Sequence, residues 1–284
     1  MYEQFSWTDV GRQRNAILEE YEPLQPHFLV ALAQAVRATA FLDIGANIGT
    51  YSLFMSLVPS IGHLHAFEAN PPTADELDRN LSLNRLANPV TVHRCALSDA
   101  AGDLKFGIVN SYSGANAVLD TSFQDSAQFK EAISVEAKTL DSLLPEPFSG
   151  IVAVKLDVEG HELMVIRGGH ETFAKNRVLL QVELYPQGRE QVVEQLAALG
   201  YRRLLRLGPD HYFTNVAEVT DAHIAEALER ASDGIIERSH LRRQEAALAA
   251  PASLRLPAGV KLQFTGRSAR LAKRMRELLR GRRR

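Results

Sequence analysis

The feature that most constrains the fold is an alternation of short apolar runs with longer segments of helical periodicity. Runs such as AFLDIG at 40–45 and IVAVKLDV at 151–158 are almost continuously apolar. An apolar run of this length between turn residues indicates a strand that is buried on both faces. Because helical segments separate the runs, the sequence predicts a parallel sheet with helices on both sides.

The same patterns predict the order of the elements. Strands are expected at 40–45, 63–69, 90–97, 151–158 and 177–184, followed by a hairpin over 201–216. Helices are expected at 48–58, 71–86, 161–175 and 189–199. Two further strands, 103–109 and 133–140, flank a polar loop at 110–131. The hairpin, turned by Gly208, Pro209 and Asp210, would add an antiparallel edge to the sheet.

Composition is that of an ordinary globular protein, with 284 residues, 45% of them apolar and 23% charged. Cys95 is the single cysteine, which excludes an intramolecular disulfide and a cysteine-based zinc site. No apolar run reaches the roughly 18 residues that span a bilayer. The first residues also lack the pattern of a secretory signal. We therefore expect a cytoplasmic protein.

Charge is distributed unevenly. Residues 267–284 contain nine of the 32 basic side chains and one of the 34 acidic ones, so the rest of the chain is acidic. An acidic body argues against a nucleic-acid partner. Within the basic tail, Leu271, Met275, Leu278 and Leu279 form an apolar stripe at helical spacing. Such a helix could make a peripheral contact with the inner membrane surface or dock onto a partner, and a solvated terminus is the alternative.

The strongest local motif is LDIGANIGTYS at 42–52, between the first strand and the first helix. Gly45 and Gly49 would let the backbone approach a ligand at the helix N-terminus. Dinucleotide-binding loops have glycine at the position of Asn47. The carboxylate of Asp43 would repel a pyrophosphate but suits a cationic ligand, so it argues against a dinucleotide.

Two further motifs end the second and fourth strands. Glu68, in HAFEANP, is placed to bind ribose hydroxyls, although a solvated strand-end carboxylate is the alternative. In KLDVEGHE, the side chains of Lys155, Asp157 and Glu159 tend to one face because they alternate with apolar residues. A lysine in a buried strand is costly unless paired, so Lys155 is either functional or part of a structural ion pair.

Together these stretches resemble the FkbM family of S-adenosylmethionine (SAM)-dependent methyltransferases. The resemblance covers about residues 40–190 and is carried by LDIGANIGTYS, FEANP, CALSD, KLDVEGHELMVIRGG and QVELYP. It implies a class I methyltransferase (Rossmann-like) α/β fold, whose seven-stranded, mostly parallel sheet has the order 3-2-1-4-5-7-6 and helices on both faces. We accordingly expect an N-terminal helical lid at 1–39, the methyltransferase domain at 40–216 and a C-terminal helical extension at 217–284.

The resemblance also implies how SAM is bound. The glycine turn, formed by Gly45, Asn47 and Gly49, would cradle the methionine end of SAM. Glu68 would hold the ribose, and Ala96 and Leu97 would flank the adenine. Asp43 would attract the ammonium group. The expected cofactor-binding residues are therefore Asp43, Gly45, Asn47, Gly49, Glu68, Ala96 and Leu97.

The expected catalytic residues are Lys155, Asp157, Glu159 and His161. In the implied strand order, Asp157 and Glu183 share one edge of the sheet with Asp43. They could position the acceptor hydroxyl directly or through a divalent metal such as Mg²⁺. His161 could accept a proton, or it could be a surface histidine at a helix start.

We expect O-methylation of a small molecule or glycan, with a hydroxyl on a sugar or a secondary metabolite as acceptor. Loop 110–131 and the N-terminal residues Trp7, Tyr21 and Glu22 are the expected acceptor walls. Two alternatives stay open: an NAD(P)-dependent oxidoreductase, and a non-catalytic nucleotide-binding adaptor.

Overall fold

The computed structural model describes residues 24–84, 86, 88–110, 114–119 and 126–233. At its centre lies a seven-stranded sheet with the order β10-β11-β9-β8-β1-β2-β3. Its strands are β1 (Ala40–Ile44), β2 (His63–Phe67), β3 (Val90–His93), β8 (Ile151–Leu156), β9 (Arg177–Glu183), β10 (Arg202–Leu207) and β11 (Asp210–Thr214). Strand β11 pairs antiparallel with both β9 and β10, and the other strand pairs of this sheet are parallel. Counted along the chain, this is the order that the family resemblance implies.

Helices cover both faces of this sheet. They are α1 (Gln25–Ala35), α2 (Thr50–Met55), α3 (Pro71–Leu83), α4 (Leu140–Leu143), α5 (Glu162–Gly168), α6 (His170–Lys175) and α7 (Arg189–Ala198), and residues 221–233 are also helical. One core joins α1 and α2 to Phe41 and Tyr212. The other core joins α5, α6 and α7 to Leu42 and Leu180 on the opposite face. The near-continuous apolar strands are thus buried on both sides, as their sequence indicates.

The segment 90–97 differs from the single strand that its sequence predicts. The chain leaves the large sheet after β3 and enters a second, four-stranded sheet with the order β4-β7-β5-β6. These strands are β4 (Ala96–Leu97), β5 (Gly102–Ile108), β6 (Ala117–Val118) and β7 (Glu131–Lys138). The second sheet buries an apolar cluster of its own, which includes Phe106 and Val135. Ala96 of β4 packs in this cluster, so β4 belongs to the second sheet and does not continue β3.

The segment 161–175 is two short helices rather than one. Helix α5 ends at Gly168, where a Cβ would lie 1.8 Å from the carbonyl oxygen of Ser98. Gly169 then precedes α6. The glycine pair permits this close approach to the segment after β4, and it also interrupts the helix.

Several predicted features lie outside the described residues: Trp7, Tyr21, Glu22, residues 111–113 and 120–125 of loop 110–131, and the basic tail at 267–284. The division into lid, central domain and C-terminal extension stays a prediction. Within the described ranges, no helix has the length and apolar character needed to cross a membrane.

Candidate active site

A cleft opens at the carboxyl edge of the large sheet, beside the second sheet. It holds about 590 Å³ of space, counted to its open mouth. The ends of β1, β2 and β8 contribute its polar wall, which is where ligands bind in open α/β sheets. Its described lining comprises Ile44, Gly45, Asn47, Phe67, Glu68, Ala69, Thr73, Cys95, Ala96, Leu97, Phe106, Gly114, Asn116, Val118, Asp157, Val158, Glu159 and His161.

The glycine turn packs backbone against backbone. The amides of Gly45 and Ala46 both donate to the carbonyl oxygen of Phe67, at 3.0 and 2.9 Å. Gly45 has a φ of +79°, and a Cβ there would lie 1.8 Å from the carbonyl oxygen of Asp157. Glycine is therefore required at this position by conformation and by space. The turn ties together the ends of the first, second and fourth parallel strands.

Glu68 lies in the cleft wall with its carboxylate oriented by main-chain donors. One oxygen accepts from the amide of Asn47 at 2.8 Å, and the other accepts from the amide of Asn70 at 2.9 Å. Its side chain is largely buried, so it is not the solvated strand-end carboxylate of the alternative interpretation. A carboxylate can accept about four hydrogen bonds, and these two fix its orientation.

Ala96 and Leu97 lie in the cleft wall, as the sequence predicts. Phe106 from β5 and Val118 from β6 join them and make this part of the wall apolar. These two residues were missed because their strands belong to the second sheet, whose pairing the sequence does not indicate. The apolar alternation of 103–109 is the signal that could have suggested Phe106 as a buried residue.

Asp43 lies beneath the turn, and it is not among the residues that line the cleft. One of its oxygens accepts hydrogen bonds from the amide and the hydroxyl of Ser52, at 2.8 and 2.7 Å. Burial raises its pKa from 3.8 to about 6, against the hydrogen bonds from Ser52, which lower it. Gly49 is also not among the described residues of the cleft wall: it is the N-cap residue before α2, and a Cβ there would meet the side chain of Leu77.

Lys155 is buried behind the cleft and forms ion pairs. Its Nζ lies 2.9 Å from Asp210 Oδ1 and 3.5 Å from Asp157 Oδ2. The ammonium also lies 5.2 Å from the centre of the Tyr51 ring. The structural ion pair that the sequence left open for Lys155 is thus present. Asp210 was missed because the Gly-Pro-Asp sequence reads as a turn, whereas Asp210 is the first residue of β11.

Glu159 lies in the cleft wall with a left-handed backbone, at a φ of +58°. It accepts a hydrogen bond from the hydroxyl of Tyr185 at 2.6 Å. Burial and the negative charge of Asp157 raise the pKa of Glu159 to about 7. Its carboxyl group is therefore divided between its two protonation states near neutral pH.

Two further carboxyl groups of this region are buried nearby. Burial raises the pKa of Glu162 to about 7, although the amides of Val158 and Gly160 donate to it at 3.2 and 3.1 Å. Burial and then the charge of Asp157 raise the pKa of Glu183 to about 9. Glu183 is not among the described residues of the cleft wall.

His161 lies in the cleft wall and is only 3% exposed, so it is not a surface histidine. Its Nε2 is 3.0 Å from the hydroxyl of Ser98. This contact links the start of α5 to the segment that follows β4. The structure thus brings Asp157, Glu159 and His161 together in one wall and leaves Lys155 behind it.

A metal site has no support in the described part of the chain. No group of three or more His, Cys, Asp or Glu side chains there has an arrangement that could hold a metal ion.

Two curated relatives align with parts of the chain. "Methyltransferase sdnD" of Sordaria araneosa is 31% identical over an alignment of 157 residues, gaps included, that covers 46% of this chain and 60% of that protein. "Hexuronic acid methyltransferase AglP" of Haloferax volcanii is 34% identical over 137 residues, 48% of this chain and 52% of that protein. The chain therefore spans about half to three-fifths of the length of these relatives.

Among solved structures, the methyltransferase FkbM of Methylobacillus flagellatus KT superposes with a TM-score of 0.45 at 14% identity, over 63% of this chain and 44% of that one. The sequence model of the family described as "Methyltransferase FkbM domain" matches residues 43–212, which run from the end of β1 to β11. The matched range contains every lining residue of the cleft and more than half of the sequence. The chain belongs to the FkbM methyltransferase family.

Proposed function

We propose that the protein transfers a methyl group from SAM to a hydroxyl group of a sugar, a glycan or a secondary metabolite. The observation that carries the proposal is the carboxylate of Glu68, which is fixed by main-chain donors in the wall of the cleft. One donor, Asn47, belongs to the glycine turn itself. A carboxylate held in this way suits the two hydroxyls of a ribose.

The wall suits the chemistry of each part of SAM. Ala96, Leu97 and Phe106 offer apolar surface for the adenine, and Glu68 offers acceptors for the ribose. The turn at Gly45, next to the backbone of Asp157, would face the methionine part. When bound, SAM supplies an electrophilic methyl group on a positively charged sulfur. The described residues of the wall include no group that could hold a metal ion, and we propose none.

The acidic part of the wall would receive the acceptor. The Asp157 side chain is 24% exposed and lines the cleft, so it can accept a hydrogen bond from an acceptor hydroxyl. Glu159 has a pKa of about 7 and can hold the proton that the hydroxyl loses. In this proposal His161 positions the wall through Ser98, and Lys155 sets the charge of Asp157. Many methyl transfers to oxygen need mainly in-line positioning, so a strong base is not required.

A sugar acceptor is supported by the name of the relative AglP, a hexuronic acid methyltransferase that is 34% identical over the aligned part. The oxidoreductase alternative has less support, because Asn47 occupies the second glycine position of a dinucleotide loop and the family is one of methyltransferases. The adaptor alternative has no use for the acidic wall of Asp157 and Glu159.

Calorimetry with S-adenosylhomocysteine (SAH), NAD and NADP as parallel titrants tests the cofactor. We expect binding of SAH alone, and a Glu68→Gln variant should bind it more weakly. Binding of NAD or NADP in place of SAH would overturn the proposal. The acceptor is then sought with SAM that carries a ¹³C-labelled methyl group and a panel of hexuronic acids, neutral sugars and amines. An O-methyl signal in the carbon NMR spectrum is expected, and a label found only on nitrogen would contradict O-methylation.

A further inference from the structure

A row of polar side chains crosses the large sheet directly behind the cleft. Asp43, Lys155, Gln181 and Tyr212 are register partners on β1, β8, β9 and β11. These side chains lie on the same face of the sheet as Phe41, next to the apolar core that contains α1. Buried polar groups in a sheet are costly unless they are paired, so this row needs a reason for its presence.

Asp210 organises the row, although it lies far from every motif of the sequence. It is fully buried, and its Oδ1 accepts from Lys155 Nζ at 2.9 Å and from Gln181 Nε2 at 2.7 Å. Gln181 also donates to the hydroxyl of Tyr51 at 2.8 Å. No described residue donates to Asp210 Oδ2. Asp210 is therefore a buried charge whose main compensation is the ammonium of Lys155.

Asp210 and Asp157 compete for the same ammonium. Lys155 Nζ is 2.9 Å from the carboxylate of Asp210 and 3.5 Å from that of Asp157, so the pairing with Asp210 is the closer one. Of the two carboxylates, only Asp157 lines the cleft. Because Lys155 is held by Asp210, it neutralises Asp157 only in part, and Asp157 keeps negative charge toward the cleft.

We propose that Asp210 is a positioning residue that holds Lys155 back from Asp157, so that Asp157 presents its charge to the sulfonium of SAM. The inference rests on the proposed function. It implies that the cleft distinguishes SAM, which carries a positive charge on sulfur, from the neutral product SAH. The Asp157 carbonyl lies next to Gly45, whose turn would face the methionine part of the cofactor.

The test is calorimetry of SAM and of SAH on the full chain. In Asp210→Asn, Lys155 loses its charged partner and pairs more fully with Asp157. We expect SAM to bind about five- to tenfold more weakly, whereas the affinity for SAH changes less than about twofold. Asp157→Asn should show the same selective loss. Asp103→Asn, an exposed aspartate on β5, should leave the ratio of the two affinities unchanged.

A second variant separates positioning from a merely structural role. In Lys155→Met combined with Asp210→Asn, both buried charges are gone and Asp157 loses the ion pair with Lys155. The preference for SAM should therefore return to that of the wild type or exceed it. This double variant also avoids an uncompensated buried charge, so it decides the question if Asp210→Asn alone does not fold.

Equal weakening of SAM and SAH in Asp210→Asn, or no recovery in the double variant, would overturn the inference. If the double variant is the only folded one, a loss of SAM preference as large as that of Asp157→Asn would overturn it. Failure of the wild type to bind either ligand would instead count against the proposed function. The two failures are therefore distinguishable.

Discussion

Two of the carboxylates at the cleft, Glu68 and Asp157, are held in different ways. Glu68 is fixed by main-chain amides, and both donors lie within short motifs of the sequence. Asp157 shares a lysine with Asp210, and Lys155 and Asp210 are 55 residues apart. The first environment is determined by local turns, whereas the second exists only after the sheet has assembled. The environment of Glu68, at the cofactor end of the site, is thus determined by nearby sequence. The charge at the acidic end, formed by Asp157 and Glu159, is determined by tertiary structure.

The two environments meet at Gly45, and Gly45→Ala is expected to have the largest effect. The new Cβ would lie 1.8 Å from the carbonyl oxygen of Asp157 at a φ of +79°. We expect a loss of about 3–5 kcal/mol in the free energy of unfolding, measured with urea. Gly200→Ala is the matched control, because its φ is +82° but no atom lies within 4 Å of the new Cβ. It should lose only about 1–2 kcal/mol. Similar losses in the two variants would contradict the close approach.

Asp43 is a carboxyl group that is not among the described residues of the cleft wall, and its removal tests whether it is structural. Its pKa is about 6 in the folded protein and 3.8 in the unfolded chain, so the folded state binds more protons between these values. Stability contributed by the protonated form is therefore present at low pH and is lost as pH rises toward 7. Asp43→Asn lacks this titration. Its free energy of unfolding relative to wild type should thus rise by up to about 3 kcal/mol between pH 4 and pH 7.

Urea unfolding at several pH values measures this difference, and Asp103→Asn on the exposed edge of β5 is the control. A difference between Asp43→Asn and wild type that stays constant with pH would show that Asp43 is charged throughout. In that case a direct contact with a cationic ligand would regain support over a structural role.

The comparison also explains what the sequence could and could not indicate. The strands and the glycine turn follow from apolar periodicity and from turn residues, whereas the order of the large sheet is what the family resemblance implies. Asp210 could not be found in this way, because its partner Lys155 is specified by strand pairing and not by spacing. The same holds for Phe106 and Val118, which reach the cleft through a second sheet. Asp43, by contrast, lies in the predicted motif, but its side chain is not among those that line the cleft, because Ser52 in α2 donates a hydrogen bond to its carboxylate.

Glu68→Gln tests the locally encoded carboxylate. The amide group would place an N–H donor against the main-chain donor of Asn47 or of Asn70. We expect SAH to bind about 10- to 100-fold more weakly, because a buried donor is left without an acceptor and a charged hydrogen bond is lost. Calorimetry with SAH measures the change. Glu190→Gln, an exposed substitution on α7, should stay within about twofold of wild type. An unchanged affinity in Glu68→Gln would exclude a role for Glu68 in ribose binding.

The smallest effect is expected for Tyr185→Phe at the acidic end. Burial and the charge of Asp157 raise the pKa of Glu159 to about 7, and the hydrogen bond from Tyr185 acts in the opposite direction. Without that donor the pKa should rise further, and the folded protein should lose about 1 kcal/mol at pH above 8. A carbon NMR titration of ¹³C-labelled glutamate measures the midpoint directly.

Tyr201→Phe is the control for Tyr185→Phe, because it removes a buried hydroxyl that donates to Phe173 instead of to a carboxylate. It should lower stability without moving the midpoint of Glu159. If the midpoint does not move in Tyr185→Phe either, burial and Asp157 alone set the protonation of Glu159. The acidic end would then be tuned entirely by long-range contacts, and its contrast with the locally encoded environment of Glu68 would be complete.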